Sequence, residues 1–292
     1  MSDTESSPVG LLRAGERVLL IDAKQRRYLL TLQAGSMFHT HAGILAHDDL
    51  IGTDEGTTIR GTTGRSFVVL RPTLADIVVK MPIGAQVIYP KDLGAILMAA
   101  DIGPGMRVLE AGVGSGALSM AMLRAGADVV GYEFREDFAN RARLNVSTCV
   151  GEDVPYRIEL RDVYEGIDER GLDRIVLDLP EPWQVLAHAE KALRPGGILF
   201  AYLPTTNQIG TLRAAMEHSA FGMAETFEVL HRTWHVEERS TRPDHRMVAH
   251  TGFLTTARLL VPEARTVPEA RTVPEARTVP EVGPATEVRT VL

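Results

Sequence analysis

Two runs of residues in this 292-residue chain have the types and spacing to do chemistry. The first is Glu110-Ala111-Gly112-Val113-Gly114-Ser115-Gly116-Ala117. Glycines at alternate positions let backbone approach a ligand closely and take positive φ where needed. Between a strand and a helix, such a loop reads as a cofactor cradle. Glu133 follows Gly112 by 21 residues, where an acid accepts hydrogen bonds from both hydroxyls of a ribose. Arg161-Asp162 follows a further strand, and an Asp there can accept from an adenine amino group; a solvated loop acid is the plainer reading. The second run is Asp178-Leu179-Pro180-Glu181-Pro182-Trp183. A carboxylate on a proline-stiffened loop can hold an exocyclic amine and stabilise positive charge developing on a ring nitrogen. Capping of the following helix is the alternative for Asp178. Gln86, Val87, Ile88 and Tyr89, ahead of Pro90-Lys91-Asp92, precede the glycine-loop strand, and Tyr89 reads equally as a base-stacking or a core residue.

The glycine loop admits two ligands. Gly112-x-Gly114-x-x-Ala117 satisfies a dinucleotide fingerprint, whereas Gly112-x-Gly114-x-Gly116 behind Glu110 resembles the S-adenosylmethionine loop of class I methyltransferases. Charge discriminates. A dinucleotide places a pyrophosphate dianion at the helix N-terminus. S-adenosylmethionine carries a sulfonium and an ammonium, which suit an acid at the mouth of the loop. Glu110 therefore favours S-adenosylmethionine, with NAD kept as the alternative.

The elements that must position these residues follow from hydrophobic patterning. Residues 1–75 read as a small β-rich domain, with strands at 17–22, 28–32 and 66–71 and frequent glycines between them. Residues 76–260 alternate strand and helix. Strands are predicted at 107–111, 128–133, 156–160, 174–179 and 197–203, and helices at 117–125, 137–149, 183–193 and 208–218. Two late strands are expected at 223–231 and 251–260, and Arg194-Pro195-Gly196-Gly197 reads as a turn. The pattern means βαβ units: an α/β, Rossmann-like domain with a mostly parallel sheet. In residues 261–292 the hexad Val-Pro-Glu-Ala-Arg-Thr occurs three times in succession. Regular proline and little apolar surface predict a disordered tail.

Composition narrows the class. Hydrophobic residues are 45% and charged residues 24%, as in folded globular chains. The single Cys149 excludes a disulfide framework and a cysteine-built zinc site, and fits a reducing, cytoplasmic compartment. The first residues lack a signal-peptide pattern, and no apolar run approaches the ~20 residues of a membrane span. His39 and His41 share a strand face without a third ligand, so no metal site is expected. The net charge of −7 argues at first against a polyanionic partner, but five of those seven units fall in residues 151–200, around Asp162 and Asp178. Two basic groups lie outside that stretch: Arg13, Arg17, Lys24, Arg26 and Arg27, and Arg232, Arg239, Arg242, His245 and Arg246. Each reads equally as a phosphate-contacting patch or a solvated surface.

Together these motifs resemble the tRNA (adenine-58-N1)-methyltransferase family of the bacterial and archaeal homotetrameric type. The residues that carry the likeness are 86–92, 110–116, Tyr132-Glu133, Arg161-Asp162, 178–183 and His250-Thr251-Gly252-Phe253-Leu254, within about residues 8–260. The resemblance implies a class I S-adenosylmethionine-dependent methyltransferase domain behind a small N-terminal β domain, with tRNA as substrate. It places Gln86, Val87, Ile88, Glu110, Gly112, Gly114, Ser115, Gly116, Ala117, Glu133, Arg161, Asp162 and Asp178 around the cofactor. It puts Asp178 on the target adenine and Tyr89 between cofactor and base. The repeat tail has no counterpart in the family pattern.

Overall fold

The computed structural model describes residues 10–41, 43–81 and 87–261. Gln86 and the repeat tail lie outside the described residues.

The N-terminal part is built on alternation. In β1 (Arg17–Asp22), Val18 and Leu20 point one way into a core shared with Phe67 and Val69 of β6 (Ser66–Leu70). Strands β2 (Arg27–Thr31) and β5 (Thr58–Arg60) flank this pair, giving an antiparallel sheet of order β2-β1-β6-β5. A separate hairpin, β3 (Met37–Thr40) with β4 (Gly43–Ala46), adds Leu45 to the same core. His39 lies on β3, facing Ile44, but the strand ends at Thr40 and His41 falls in the turn, so the two do not share a strand face.

Helices α1 (Leu74–Lys80) and α2 (Pro90–Ala99) lead into the second sheet. Thr73 and Asp76 form a capping box at the start of α1. Then follow β7 (Arg107–Ala111), α3 (Ala117–Arg124), β8 (Asp128–Glu133), α4 (Glu136–Cys149) and β9 (Tyr156–Leu160) on one side. The chain crosses back to β10 (Leu172–Leu177), α5 (Leu186–Ala192), β11 (Leu193–Leu203), α6 (Thr206–Glu217) and β12 (Phe221–Phe227). A short hairpin, β13 (Trp234–Glu237) with β14 (Ser240–Pro243), precedes β15 (Phe253–Leu259). The sheet order is β12-β15-β11-β10-β7-β8-β9, with β15 antiparallel to both neighbours and the rest of the inner strands parallel. Nearly continuous apolar runs in β7, β10 and β11 are buried from both faces by the helices, as a parallel sheet requires.

Strand order reverses between β7 and β10, and this is where an open α/β sheet leaves a crevice at the carboxyl edge. The two strands come unusually close there. The Asp178 amide donates to the Ala111 carbonyl at 2.7 Å, and a Cβ on Gly112 (φ +29°) would lie 2.7 Å from the Asp178 carbonyl oxygen. At the opposite edge, the buried guanidinium of Arg174 in β10 donates to the Ala100 and Asp101 carbonyls and pins the end of α2.

Local details differ from the sequence reading. The helix expected over 183–193 is a 3-10 turn, Pro182–Val185, followed by the shorter α5, because Pro182 opens it without a side-chain cap. The Arg-Pro-Gly-Gly turn lies inside β11. Leu193 pairs with Leu172, and pairing resumes with Ile198 on Arg174, so four residues loop out opposite Asp173. Gly196 (φ +74°) allows the excursion, and Arg194 ties it to the Asp173 carboxylate at 2.6 Å. The basic stretch 232–246 contains the β13–β14 hairpin. Among the described residues no helix is long and apolar enough to cross a membrane.

Gly112→Ala is expected to force β7 and β10 apart and to destabilise the fold by about 1–3 kcal/mol. Urea unfolding should show a lower midpoint at an unchanged m-value; a wild-type midpoint contradicts the constraint.

Candidate active site

The loop after β7 is shaped by what its glycines touch. Gly114 (φ +56°) has open space where a Cβ would stand, and its amide donates to Glu133 Oε2 at 3.1 Å. Gly116 (φ +80°) is different: a Cβ there would meet Ala142 of α4 at 3.2 Å. Its lack of a side chain serves helix packing, and it lines neither cavity described below. Gly131 in β8 makes room from the other side, because a Cβ there would sit 2.6 Å from Val113 Cγ2.

A cavity of about 530 Å³ opens in front of this loop. Gly112, Gly114, Glu133, Arg161, Asp162 and Asp178 line it, so the sequence reading brought residues from four separate segments to one place. A narrow extension of about 20 Å³ runs behind the loop between Val87, Ile88, Glu110, Ser115, Ala117 and Asp178. Tyr89 lines neither; it is the 38% exposed N-cap of α2. Sequence reasoning missed Phe134, Phe138 and Tyr164 in the larger cavity wall. Phe134 is 72% exposed, and an aromatic directly after the acid that ends a strand was the available signal.

Each acid is held differently. Glu133 ends β8 with Oε1 on the Arg135 amide and Oε2 on the Gly114 amide, which fixes its carboxylate at the cavity floor. Asp162 accepts from the Tyr164 amide at 2.9 Å. Arg161 pairs with Asp168, and its guanidinium lies 5.5 Å from the centre of the Tyr132 ring. Asp178 is half-buried, and its carboxylate has no hydrogen-bond partner among the described residues. Burial without a partner pushes its carboxyl up to about 7.

Glu110 is buried and accepts from Ser119 Oγ, which also lies 3.0 Å from Tyr156 Oη. Burial, with the nearby charges of Asp178 and Glu133 adding to it against the opposing hydrogen bond, pushes Glu110 up to about 8. Three carboxyl groups thus surround one loop. An anionic pyrophosphate would meet all three. A cation would relieve their mutual repulsion and favour their ionised forms, so the donor set fits the sulfonium and ammonium of S-adenosylmethionine. The fixed Glu133 carboxylate retains acceptor capacity for ribose hydroxyls.

The family described as tRNA methyltransferase complex GCD14 subunit matches residues 66–251, the strands and loops that build this site. This chain belongs to that family. A second family, TrmI-like N-terminal, matches residues 10–59 of the β-rich part. The TrmI tRNA (adenine(58)-N(1))-methyltransferase of Thermus thermophilus is 37% identical over 245 residues, covering 82% of this GCD14-family chain and 96% of the relative. That of Methanocaldococcus jannaschii, a tRNA (adenine(57)-N(1)/adenine(58)-N(1))-methyltransferase, is 34% identical over 269 residues, covering 82% and 94%. Among solved structures, the Aquifex aeolicus tRNA (m1A58) methyltransferase TrmI superposes with a TM-score of 0.77 at 31% identity, over 86% of this chain and 99% of that one. A Thermotoga maritima protein described as an S-adenosylmethionine-dependent O-methyltransferase gives 0.83 at 33%, over 86% and 96%.

The raised pKa of Glu110 makes a stability prediction with a definite sign. A carboxyl that titrates near 8 when folded and near 4.5 when unfolded binds its proton more tightly in the fold. Its contribution is complete below pH 4.5 and is lost as pH rises through 8. Glu110→Gln removes that loss. At pH 8.5 its Tm should exceed the wild-type value by at least ~2 °C, with the difference vanishing at pH 5, while cofactor binding weakens. A lower Tm at pH 8.5 would count against the buried-acid reading.

Proposed function

We propose that this chain transfers the methyl group of S-adenosylmethionine to N1 of adenosine 58 in the T-loop of tRNA. One observation carries the reading. The glycine loop after β7 and the unpartnered Asp178 carboxylate after β10 abut at the point where the strand order reverses. A methyl-donor cradle and a base-holding acid are thereby set side by side. The names of the TrmI relatives supply the acceptor that this pairing suits.

When bound, the cofactor supplies an electrophilic methyl group on a sulfonium. The protein's part is positioning and electrostatics. Gly112 and Gly114 let the loop backbone approach, Glu133 holds the ribose, and Asp162 faces the adenine end. Val87 and Ile88 close the narrow extension. Asp178 accepts a hydrogen bond from the N6 amine of the target adenine. The methyl carbon would pass to the N1 lone pair as its S–C bond breaks, which would leave a neutral thioether and a cationic base. Ionised Asp178 stabilises the charge arriving on the base. Tyr89, exposed at the start of α2 next to Ile88, is the aromatic assigned to stand between cofactor and base. The adenine must leave its stack in folded tRNA, at a cost of a few kcal/mol offset by stacking and edge contacts.

The active form is a cytoplasmic homotetramer in this reading. Its tRNA contacts come from the two basic groups at 13–27 and 232–246, outside the acidic stretch that holds the site.

The test is incubation with labelled S-adenosylmethionine and unmodified tRNA, followed by nucleoside analysis. N1-methyladenosine at position 58 is expected; a ribose-methylated product, or none, overturns the reading. Asp178→Ala should lower kcat by about 100-fold or more while cofactor Kd stays within about threefold. Because Asp178 in the free enzyme titrates near 7 and works as a carboxylate, wild-type kcat/KM should rise with pH to a plateau above about 8. That limb should be absent in Asp178→Asn, and a limb that survives the substitution assigns it to another group.

A further inference from the structure

The motifs at residues 87–92 and 250–254 meet in the fold, and the reaction outlined above gives Lys91, Asp92 and Thr251 no role. Lys91 Nζ donates to Asp92 Oδ1 at 2.7 Å and to Thr251 Oγ1 at 2.6 Å, and Thr251 Oγ1 donates to Asp92 Oδ2 at 2.6 Å. The three groups close a ring. Asp92 is fully buried and the Lys91 side chain only 6% exposed. A buried charged ring of this kind is poor value for stability alone, since well-packed apolar side chains do as well or better. Its use lies in fixing geometry. Lys91 and Asp92 sit in the first turn of α2, and Thr251 lies just before β15, about 160 positions later.

Both chain neighbours of Thr251 make contacts of their own. On one side, His250 has Nδ1 3.0 Å from a Glu228 carboxylate oxygen and Nε2 3.0 Å from the Pro204 carbonyl oxygen. Neither acceptor can donate, so the ring satisfies both contacts as an imidazolium. On the other side, Gly252 lies against the Tyr202 ring, where a Cβ would stand 2.3 Å from Cζ. Tyr202 Oη is in turn 3.5 Å from Asp92 Oδ2. Residues 250–252 are therefore tied to the ends of β11 and β12, which belong to the same carboxyl edge as Asp178.

What the ring positions is the segment just before α2. Val87 and Ile88 form one wall of the narrow extension whose other walls are Glu110, the glycine loop and Asp178. The far end of α2 is pinned by Arg174 and its middle is packed into the core through Leu93 and Ile96, so the ring is the polar tie at its near end.

We propose that Lys91, Asp92 and Thr251 act as a positioning clamp that registers the Val87 and Ile88 wall against the cofactor. The proposal rests on the S-adenosylmethionine reading. Its test uses the full chain and cofactor binding alone, so it does not depend on which nucleotide is methylated. Thr251→Val removes the hydroxyl at nearly constant volume, and Thr251→Ser keeps it. Calorimetric titration should show S-adenosylmethionine Kd raised about tenfold or more in Thr251→Val and restored to within about twofold in Thr251→Ser. The loss should persist at temperatures well below the Tm of each variant. A Thr251→Val Kd within twofold of wild type, whatever its Tm, overturns the clamp, and so does a Thr251→Ser variant as weak as Thr251→Val. Lys91→Met, which removes the hydroxyl's other partner, is judged by the same limits if Thr251→Val does not fold. Wild-type protein that fails to bind S-adenosylmethionine overturns the underlying reading instead, which separates the two failures.

Discussion

The contact between the ends of β7 and β10 is the constraint on which the site depends. One amide-to-carbonyl hydrogen bond joins Asp178 to Ala111, and the missing side chain of Gly112 permits it. That contact sets the distance between the loop that cradles a cofactor and the acid that faces an acceptor. The neighbouring parts follow from it. Gly131 gives Val113 its space, Gly116 lets α3 settle on α4, and the Glu133 carboxylate reaches back to the Gly114 amide. Each relation is a close approach of backbone, and backbone cannot be repacked as a flexible side chain can.

Electrostatics adds a second layer. Glu110, Glu133 and Asp178 are gathered at one loop although burying them together is unfavourable: burial raises both Glu110 and Asp178, and the Asp178 and Glu133 charges push Glu110 up further. Such an arrangement stores destabilisation at the place where a cationic ligand and a base turning cationic arrive. It also reconciles an acidic chain with a polyanionic substrate. The negative charge is concentrated around the chemistry, and basic side chains lie elsewhere. A buried serine hydroxyl and tyrosine hydroxyl behind Glu110 keep its carboxyl satisfied in either protonation state.

The parallel core was legible because its signals are local. Strands β7, β8, β9 and the span of α4 came directly from apolar runs bounded by glycine and charge. The cofactor loop was legible because glycine spacing and a preceding acid carry their own physical meaning. Other features rest on non-local contacts. Gly116 has the spacing of a ligand-binding glycine, and only the position of Ala142 on α4 shows that it serves packing. The four-residue excursion in β11 reads as an ordinary turn until Leu193 is seen paired with Leu172. Phe134 and Tyr164 line the same cavity, and no spacing in the chain announces that they share one space. The β13–β14 hairpin was hidden by its charges, which resemble a solvated loop.

The place of β15 has a consequence for how the molecule comes into being. It is the last strand among the described residues, yet it occupies an inner position between β11 and β12. During synthesis, β11 has an open hydrogen-bonding edge until residues 253–259 have been made, and β12 has no neighbour to join. Unpaired edges of this kind invite pairing with other chains. Thr251 meets Lys91 and Asp92 only when that strand docks. Every residue that lines the cavities has been made by Pro180, so on the proposed clamp the docking of this strand is what locks a pocket whose walls are already present.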